Sequence, residues 1–197
     1  LIQSKDDLKK FRDKVIKDNE SYAGKYFKQS ANIDLSGIDW IPIGTDNDTT
    51  KFSGTYDGGG HEITNLKNDA RYEGGLFGYL SGTVKNLAII NCDVSYSSGN
   101  GYSGAVVASG GTVTNCYSTG KVSGKQCGGI SGNGSTITNC YSTAKVTGTD
   151  SSYGIGANPS KIDKCVALNN GISGTAAGRV GSKSLSNNYA LKEMKVN

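Results

Sequence analysis

The chain has 197 residues, of which 35% are hydrophobic, with 29 Gly, only 2 Pro and a formal net charge of +4. This composition excludes collagen, which requires Gly at every third position, and a Pro/Gly-rich disordered tract. No apolar stretch reaches the roughly 18 residues of a membrane-spanning helix, so no membrane span is predicted. Dispersed Gly beside Val, Ile and Thr favours an all-β protein with many short strands and tight turns.

The charge is unevenly distributed. Residues 1–81 carry 11 Lys and Arg against 13 Asp and Glu, a net −2, whereas residues 82–197 carry 10 against 4, a net +6. The lysines are scattered singly, without the interleaved basic and aromatic residues typical of nucleic-acid binding, so no nucleic-acid partner is expected. No signal peptide is visible, and Leu1 lies close to a predicted helix start. We therefore expect a fragment of a longer protein with further domains in the same chain.

An amphipathic helix is predicted at residues 4–18. Ser4 can cap the free N–H groups of the first turn, and Leu8, Phe11 and Val15 form one apolar stripe. Short strands are expected to follow, around 26–27 and 33–35. Because the open end of a repetitive β array exposes unpaired strand edges, this helix is well placed to cover one.

From about Ile63 onward the chain repeats itself. Thr112-Val113-Thr114-Asn115-Cys116 returns as Thr136-Ile137-Thr138-Asn139-Cys140, and the steps between successive copies are 21, 29, 24, 25 and 23 residues. The remaining copies are Ile63-Thr64-Asn65-Leu66, Thr83-Val84-Lys85-Asn86-Leu87, Lys161-Ile162-Asp163-Lys164-Cys165 and Leu185-Ser186-Asn187-Asn188-Tyr189. A unit of this size with two or three strands of three to five residues cannot bury its apolar face alone, so it must stack into a solenoid.

Stacking places equivalent residues in ladders along the solenoid axis. One apolar ladder is predicted at Val84, Val113, Ile137 and Ile162, and a second at Leu87, Cys116, Cys140 and Cys165. Between them runs a ladder of Asn65, Asn86, Asn115, Asn139 and Asn187, since Asn tolerates the left-handed corner conformation. Lys164 interrupts the Asn ladder, and an irregular corner is expected there.

A Gly-rich element precedes each copy and reads Gly75-Leu76-Phe77-Gly78, with degraded versions at 104–107, 129–132 and 154–156. Together with Trp40-Ile41-Pro42-Ile43-Gly44 and Phe52-Ser53-Gly54-Thr55-Tyr56-Asp57-Gly58, it resembles the GLUG-repeat β-helix family of bacterial surface and secreted proteins. That family includes proteins assigned as adhesins, and similar stretches precede immunoglobulin-A-cleaving metallopeptidases. The resemblance implies a right-handed parallel β-helix with an N-terminal helical cap, located outside the cell.

The residues available for catalysis or metal binding are sparse. His61-Glu62 lacks the second His that a zinc-peptidase helix requires. Asp46-Asn47-Asp48 resembles the start of a calcium-binding loop, but Lys51 occupies the position where such a loop requires Gly. The acids that could serve a polysaccharide lyase or glycosidase are Asp46, Asp48, Asp57 and Glu62. No catalytic residue, metal or cofactor is predicted, and the carbohydrate-active enzyme remains the alternative.

Five cysteines appear about once per coil, an odd number that favours buried free thiols over disulfides. Cys92 and Cys127 fall outside the Cys ladder. Free thiols in an extracellular protein would suit an anaerobic habitat.

One candidate ligand surface is predicted, a strip of Tyr117, Tyr141, Lys121 and Lys145 in which outward aromatics lie in register beside cations. We interpret residues 1–197 as a single solenoid domain, with a helical cap at 1–24, divergent first coils at 25–82 and about five repeat coils at 83–197. The expected role is non-catalytic, a structural or adhesive module that presents or binds host glycans or proteins. A further alternative is an accessory N-terminal region of a secreted metallopeptidase.

Overall fold

The computed structural model describes residues 1–18, 20–45, 50–68, 71, 73–96 and 101–196. Its one helix within these residues, α1, spans Lys5–Lys17. Ser4 is the N-cap, and its Oγ accepts a hydrogen bond from the Asp7 N–H at 3.1 Å. The side chains of Leu8, Phe11 and Val15 are buried. The predicted amphipathic cap is therefore confirmed in position and in its buried face.

The rest of the described chain consists of short strands joined by tight corners. They are β1 Tyr26–Lys28, β2 Ile33–Asp34, β3 Thr55–Asp57, β4 Glu62–Thr64, β5 Phe77–Lys85, β6 Ala88–Ser95, β7 Tyr102–Gly104, β8 Val107–Thr114, β9 Tyr117–Gly128, β10 Ser131–Asn133, β11 Thr136–Thr138, β12 Tyr141–Ser142, β13 Lys145–Tyr153, β14 Gly156–Asn158, β15 Lys161–Asp163, β16 Val166–Ala167, β17 Ile172–Ser173, β18 Ala176–Gly178, β19 Leu185–Ser186 and β20 Tyr189–Ala190.

These strands stack in two long parallel arrays. One runs β1-β3-β5-β8-β11-β15-β19 and the other β2-β4-β6-β9-β12-β16-β20, so each coil contributes one strand to each array. Strands β7, β10, β13, β14, β17 and β18 continue the coils beyond these two arrays. The result is a right-handed parallel β-solenoid of about six turns with a small helical cap, as predicted.

The predicted apolar ladder forms the core of the first array. Ile137 aligns with Val113 on one side and Ile162 on the other, and Val113 in turn aligns with Val84. All four side chains are fully buried. Because each β-branched side chain contacts its equivalent one coil away, the row is continuous through the interior.

The thiol ladder lies beside this apolar row. Cys116, Cys140 and Cys165 are buried and free. The Cys116 N–H donates to Cys140 Sγ and the Cys140 N–H to Cys165 Sγ, both at 3.4 Å. In the last coil Asn188 replaces the thiol, since its Oδ1 accepts from the Cys165 N–H at 2.8 Å. The small polarisable side chain thus fills a narrow interior and also accepts a backbone hydrogen bond from the preceding coil.

The Asn corners adopt the left-handed conformation that the sequence predicts. Asn86, Asn115 and Asn139 have φ between 51° and 53°, and Asn65 and Asn187 have φ of 57° and 52°. The irregular corner expected at Lys164 is wrong, because Lys164 has φ of 52° and its N–H bonds to Ser186 O like the other corners. Stacking between regular neighbours holds a side chain that lacks the Asn preference in the same backbone conformation.

Two glycines explain why the Gly-rich element recurs. A Cβ on Gly75 would lie 2.8 Å from Gly104 O, and one on Gly129 would lie 2.3 Å from Gly154 O. The backbones of successive coils approach closely here, and only a residue without a side chain fits. The hydrophobic residue that follows each glycine, such as Leu76 or Ile130, points into the core and is fully buried.

Five of the described strands, β5, β6, β8, β9 and β13, are longer than the three to five residues predicted. Strand β9 has 12 residues because its parallel pairing to β6 and β13 continues through bends at Gly120 and Gly124, where φ is 112° and 156°. The bends turn the chain without ending the ladder of hydrogen bonds, so one strand covers two sides of a coil.

The two ends of the solenoid differ. At the N-terminal end Phe11 of α1 contacts a cluster of aromatic rings, with centroid distances of 4.6 Å to Phe27 and 5.2 Å to Phe52. At the other end Leu185 and Tyr189 are 47% and 73% exposed. Met194, close to the C-terminus, is buried and belongs to the hydrophobic core.

Candidate functional site

The predicted strip is brought together on the outer face of β9, β12 and β13. Tyr141 aligns with Tyr117, and Lys145 aligns with Lys121. The two rings stack with a centroid distance of 4.6 Å and an interplanar angle of 5°. Tyr141 and both lysines are exposed, whereas Tyr117 is half-buried. The strip is therefore a continuous surface of two coils.

One face of each tyrosine ring in the strip is covered by the other ring. Tyr117 also donates its hydroxyl to Glu62 Oε1 at 3.3 Å, and burial together with the Glu62 carboxylate raises the pKa of this phenol. Because the faces stack along the axis, the surface offers ring edges, hydroxyls and ammonium groups more than open aromatic faces. As a ligand site the strip stays a prediction.

Asp57, one of the acidic residues considered for an enzyme, holds neighbouring coils together. Asp57 accepts hydrogen bonds from the Tyr26 hydroxyl, from Asn86 Nδ2 at 3.0 Å and from the Gly59 N–H at 2.9 Å, and it pairs with Lys85. Burial by itself would raise the pKa of Asp57, but these bonds outweigh it and lower the pKa to about 2. A carboxylate stabilised in this way is a poor general acid near neutral pH.

Two other carboxylates anchor amide chains at the corners. Asp34 accepts from Asn65 Nδ2 at 2.9 Å, and Asn65 Oδ1 accepts from Asn91 Nδ2 at 2.7 Å. Hydrogen bonds from Asn65 and Ser36 hold the pKa of Asp34 far below its usual range. Asp163 accepts from Asn187 at 2.9 Å, which likewise lowers its pKa. The amide side chains are thus bound to fixed charges.

The remaining candidates are Asp46, Asp48 and His61. Asp46 and Asp48 lie outside the described residues, so the calcium-loop hypothesis is not addressed by the structure. His61 occupies the turn before β4, and its N–H donates to Gly58 O at 2.9 Å. Among the residues that the structure describes, no group of three or more His, Cys, Asp or Glu could hold a metal ion. Within the same ranges, no helix is long and apolar enough to cross a membrane.

Sequence reasoning missed a polar interior. Ser118 Oγ donates to Gly129 O at 2.7 Å and lies 2.9 Å from Ser142 Oγ, while Asn169 Nδ2 donates to Ala144 O at 2.7 Å. Ser118, Ser142 and Asn169 are fully buried. This network satisfies backbone carbonyls at a bend, although Asn169 Oδ1 is buried without a hydrogen-bond partner among the described residues. Its sequence signal was the Tyr-Ser pair repeated at 117–118 and 141–142.

Sequence reasoning also missed a groove of about 710 Å³ at one corner of the solenoid. It is lined by residues from four successive coils, namely Ser36, Gly37, Ile38, Asp39, Asn65, Leu66, Lys67, Asn91, Cys92, Asp93, Gly120 and Lys121. We call this surface the corner groove. Asp39, Lys67, Asp93 and Lys121 occupy equivalent positions in the four coils, and this alternation of Asp and Lys is visible only once the coils are aligned.

Comparisons with known proteins agree with this architecture. The sequence matches no model of a known protein family. The crystal structure of a "putative immunoglobulin A1 protease" from Bacteroides ovatus superposes with a TM-score of 0.73 at 24% identity, covering 100% of this chain and 76% of that chain. The shared feature is the β-helix fold. At this level of identity, the likeness concerns the fold alone.

A second relative is found by sequence. Halomucin from Haloquadratum walsbyi is 36% identical over 121 residues, a match that covers 54% of this chain and 1% of that protein. The chain therefore corresponds to about 1% of the length of Halomucin. The GLUG-repeat resemblance rests on the motifs themselves, since no family match accompanies it.

Proposed function

We propose that this chain is a non-catalytic structural module of an extracellular protein, a rigid β-solenoid that presents surfaces for binding host or glycan ligands. The observation that carries the proposal is the use of the corner carboxylates. Asp34, Asp57 and Asp163 each bind amide side chains of a neighbouring coil and have lowered pKa values. Groups committed to coil stacking serve rigidity rather than turnover.

The domain organisation belongs to the same proposal. One solenoid domain extends over residues 1–197, with the cap at 1–24, the divergent coils at 25–82 and the repeat coils at 83–197. Location outside the cell is supported by the name of the protein similar in sequence, Halomucin, and by the description of the protein similar in fold as a "putative immunoglobulin A1 protease". The GLUG-repeat resemblance also supports the proposal of a cell-surface or secreted setting.

An assay for turnover tests the non-catalytic role. The purified chain is incubated with neutral and acidic polysaccharides and, separately, with immunoglobulin A1, and products are followed by chromatography and mass spectrometry. We expect no cleavage of any substrate. Depolymerisation of a polysaccharide would support the lyase or glycosidase alternative, and cleavage of immunoglobulin A1 would contradict a role as an accessory region without its own active site.

The strip is tested separately on a glycan array. Tyr117→Ala combined with Tyr141→Ala removes both rings, and loss of binding is expected if the strip contacts the ligand. Unchanged binding would remove the strip from the proposal while leaving the scaffold role intact.

A further inference from the structure

The corner groove shares Lys121 with the strip, but it differs from the strip because four coils build it together. Three coil spacings of about 4.8 Å make it roughly 14 Å long, parallel to the solenoid axis. Its volume of about 710 Å³ is within the usual range of ligand sites. An extended ligand of several units therefore fits along it.

The charges of the groove cancel. Register places Asp39 beside Lys67, Lys67 beside Asp93, and Asp93 beside Lys121, so the sign alternates from coil to coil. Lys67 Nζ lies 2.9 Å from Asp39 Oδ1, and this hydrogen bond raises the pKa of the lysine. Two acids and two bases leave no net charge to attract a polyanion or a polycation. These four side chains still provide several hydrogen-bond donors and acceptors.

The accessible apolar surface of the groove is the side chain of Ile38, which is half-buried at the rim. Leu66 is fully buried and Cys92 is 2% exposed, so these two residues support the groove from beneath and offer a ligand almost no surface. Asn91, exposed and bound to Asn65, adds amide groups. A matching ligand must present C–H surface toward Ile38 and hydroxyl groups toward the charged side chains, with no charge of its own.

The spacing between successive coils further restricts the class of ligand that fits the corner groove. The hydrogen-bonding side chains recur at each coil, about every 4.8 Å, whereas an extended peptide advances only about 3.4 Å per residue. The pyranose unit of an extended polysaccharide advances by nearly one coil spacing, and it has an apolar C–H face with hydroxyls around its edge. We propose that the corner groove binds a segment of an uncharged polysaccharide lying parallel to the solenoid axis. This inference rests on the proposed function as a ligand-presenting module.

Binding is measured by calorimetry with neutral hexasaccharides of glucose, mannose and xylose, and with hexagalacturonate as the acidic comparison. We expect the wild-type chain to bind a neutral hexasaccharide with an affinity that hardly changes with salt, because no net charge is neutralised. Asp39→Ala with Lys67→Ala removes one exposed ion pair from the groove. This variant should bind about tenfold or more weakly, the equivalent of one or two lost hydrogen bonds.

A matched control is the ion pair of Lys14 on α1 and Asp18, the C-cap residue of that helix. Its side chains are 62% and 63% exposed, against 64% and 62% for Lys67 and Asp39. Removing an exposed ion pair has little effect on stability, so both double variants should remain folded, as circular dichroism would verify. Lys14→Ala with Asp18→Ala, and the strip variant Tyr141→Ala with Lys145→Ala, should bind like the wild type.

Three results would overturn the proposal. These are no binding of any neutral hexasaccharide, a preference for hexagalacturonate, or unchanged binding by the Asp39/Lys67 variant. None of them implies turnover, so they are separable from failure of the non-catalytic role, which would appear as cleavage products whether or not the groove binds.

Discussion

Asp57 illustrates how individual residues are committed to structure. Its carboxylate lies where strand β3 ends and receives hydrogen bonds from the strand before it and from the corner Asn86 of the strand after it. The bonds to a charged acceptor are stronger than those between neutral groups, and they lower the pKa of Asp57. The same residue in a catalytic pair would need the opposite, a pKa raised toward neutrality.

Stability should therefore depend on acid pH. The pKa of Asp57 is about 2 in the folded chain against the ordinary 3.8, so the unfolded chain takes up a proton first as pH falls. The stabilisation is complete above about pH 4 and is lost as pH falls toward about 2. Asp57→Asn should cost about 2 kcal/mol at pH 7 and give a flatter dependence below pH 4. Urea unfolding at several pH values measures this, and parallel curves for the two proteins would contradict it.

The cysteines give a second prediction for single residues. All five are buried and free, and burial raises the pKa of Cys92 and Cys127 to about 12. Since the thiolate is the reactive species, the folded chain should resist a disulfide-exchange reagent, and the chain unfolded in denaturant should react at five sites. Spectrophotometric titration counts them. Fewer than five reactive thiols after unfolding, or rapid reaction while folded, would contradict the buried ladder.

Among the elements, α1 has the most distinct task. The strands of the first coil would otherwise leave their apolar interior open, and the helix covers it with Leu8, Phe11 and Val15. Phe11 is central to this contact. The centroid of its ring lies 6.0 Å from those of Tyr22 and Tyr56, and it lies closer to those of Phe27 and Phe52. Burial of this face, rather than helix propensity, stabilises a helix of this length.

Removal of the Phe11 ring should loosen the cap. Phe11→Ala is expected to lower the free energy of unfolding by about 3–5 kcal/mol, because a large cavity opens among the aromatic side chains. Lys10→Ala, an exposed neighbour, should change it by less than about 0.5 kcal/mol. Hydrogen exchange should accelerate first in β1 and β3, and equal acceleration along the whole solenoid would contradict a local capping role.

For the whole molecule, stability is carried by contacts between successive coils. Each coil contacts its two neighbours through the apolar, thiol and Asn ladders, and residues in contact are typically 20 to 30 positions apart, as with Ile137 and its partners Val113 and Ile162. In such an array the stability is approximately a sum of coil terms and interface terms. A destabilising substitution in a central coil therefore weakens its interfaces with both neighbouring coils.

Ile137 tests this cooperativity. Ile137→Ala should cost about 2–5 kcal/mol, and Ile137→Asp should unfold several coils together because it places a charge in the dry interior. Hydrogen exchange should show β8, β11 and β15 losing protection in parallel. Thr138→Ala, half-exposed on the next position, is the control and should behave like the wild type. Loss of protection confined to β11 would argue against stacking as the source of stability.

The repeat spacing, the inward apolar and thiol rows and the left-handed Asn corners could be predicted from the sequence, because they depend on side-chain type at a fixed interval. The capping helix was predictable for a similar reason, since its apolar stripe and N-cap are local features. The strip of Tyr117, Tyr141, Lys121 and Lys145 was also found in this way, because its members recur at the same two repeat positions.

Only the tertiary structure decided the corner at Lys164, the commitment of Asp57 to coil stacking, and the corner groove. The groove joins residues 36–39, which precede the recognisable repeats, to side chains from three later coils. Its alternating charges follow from the register of parallel strands, and local sequence does not specify which residue of one coil lies beside which residue of the next. That alignment is set by packing of the whole interior, so a surface that spans several coils exists only after they have stacked.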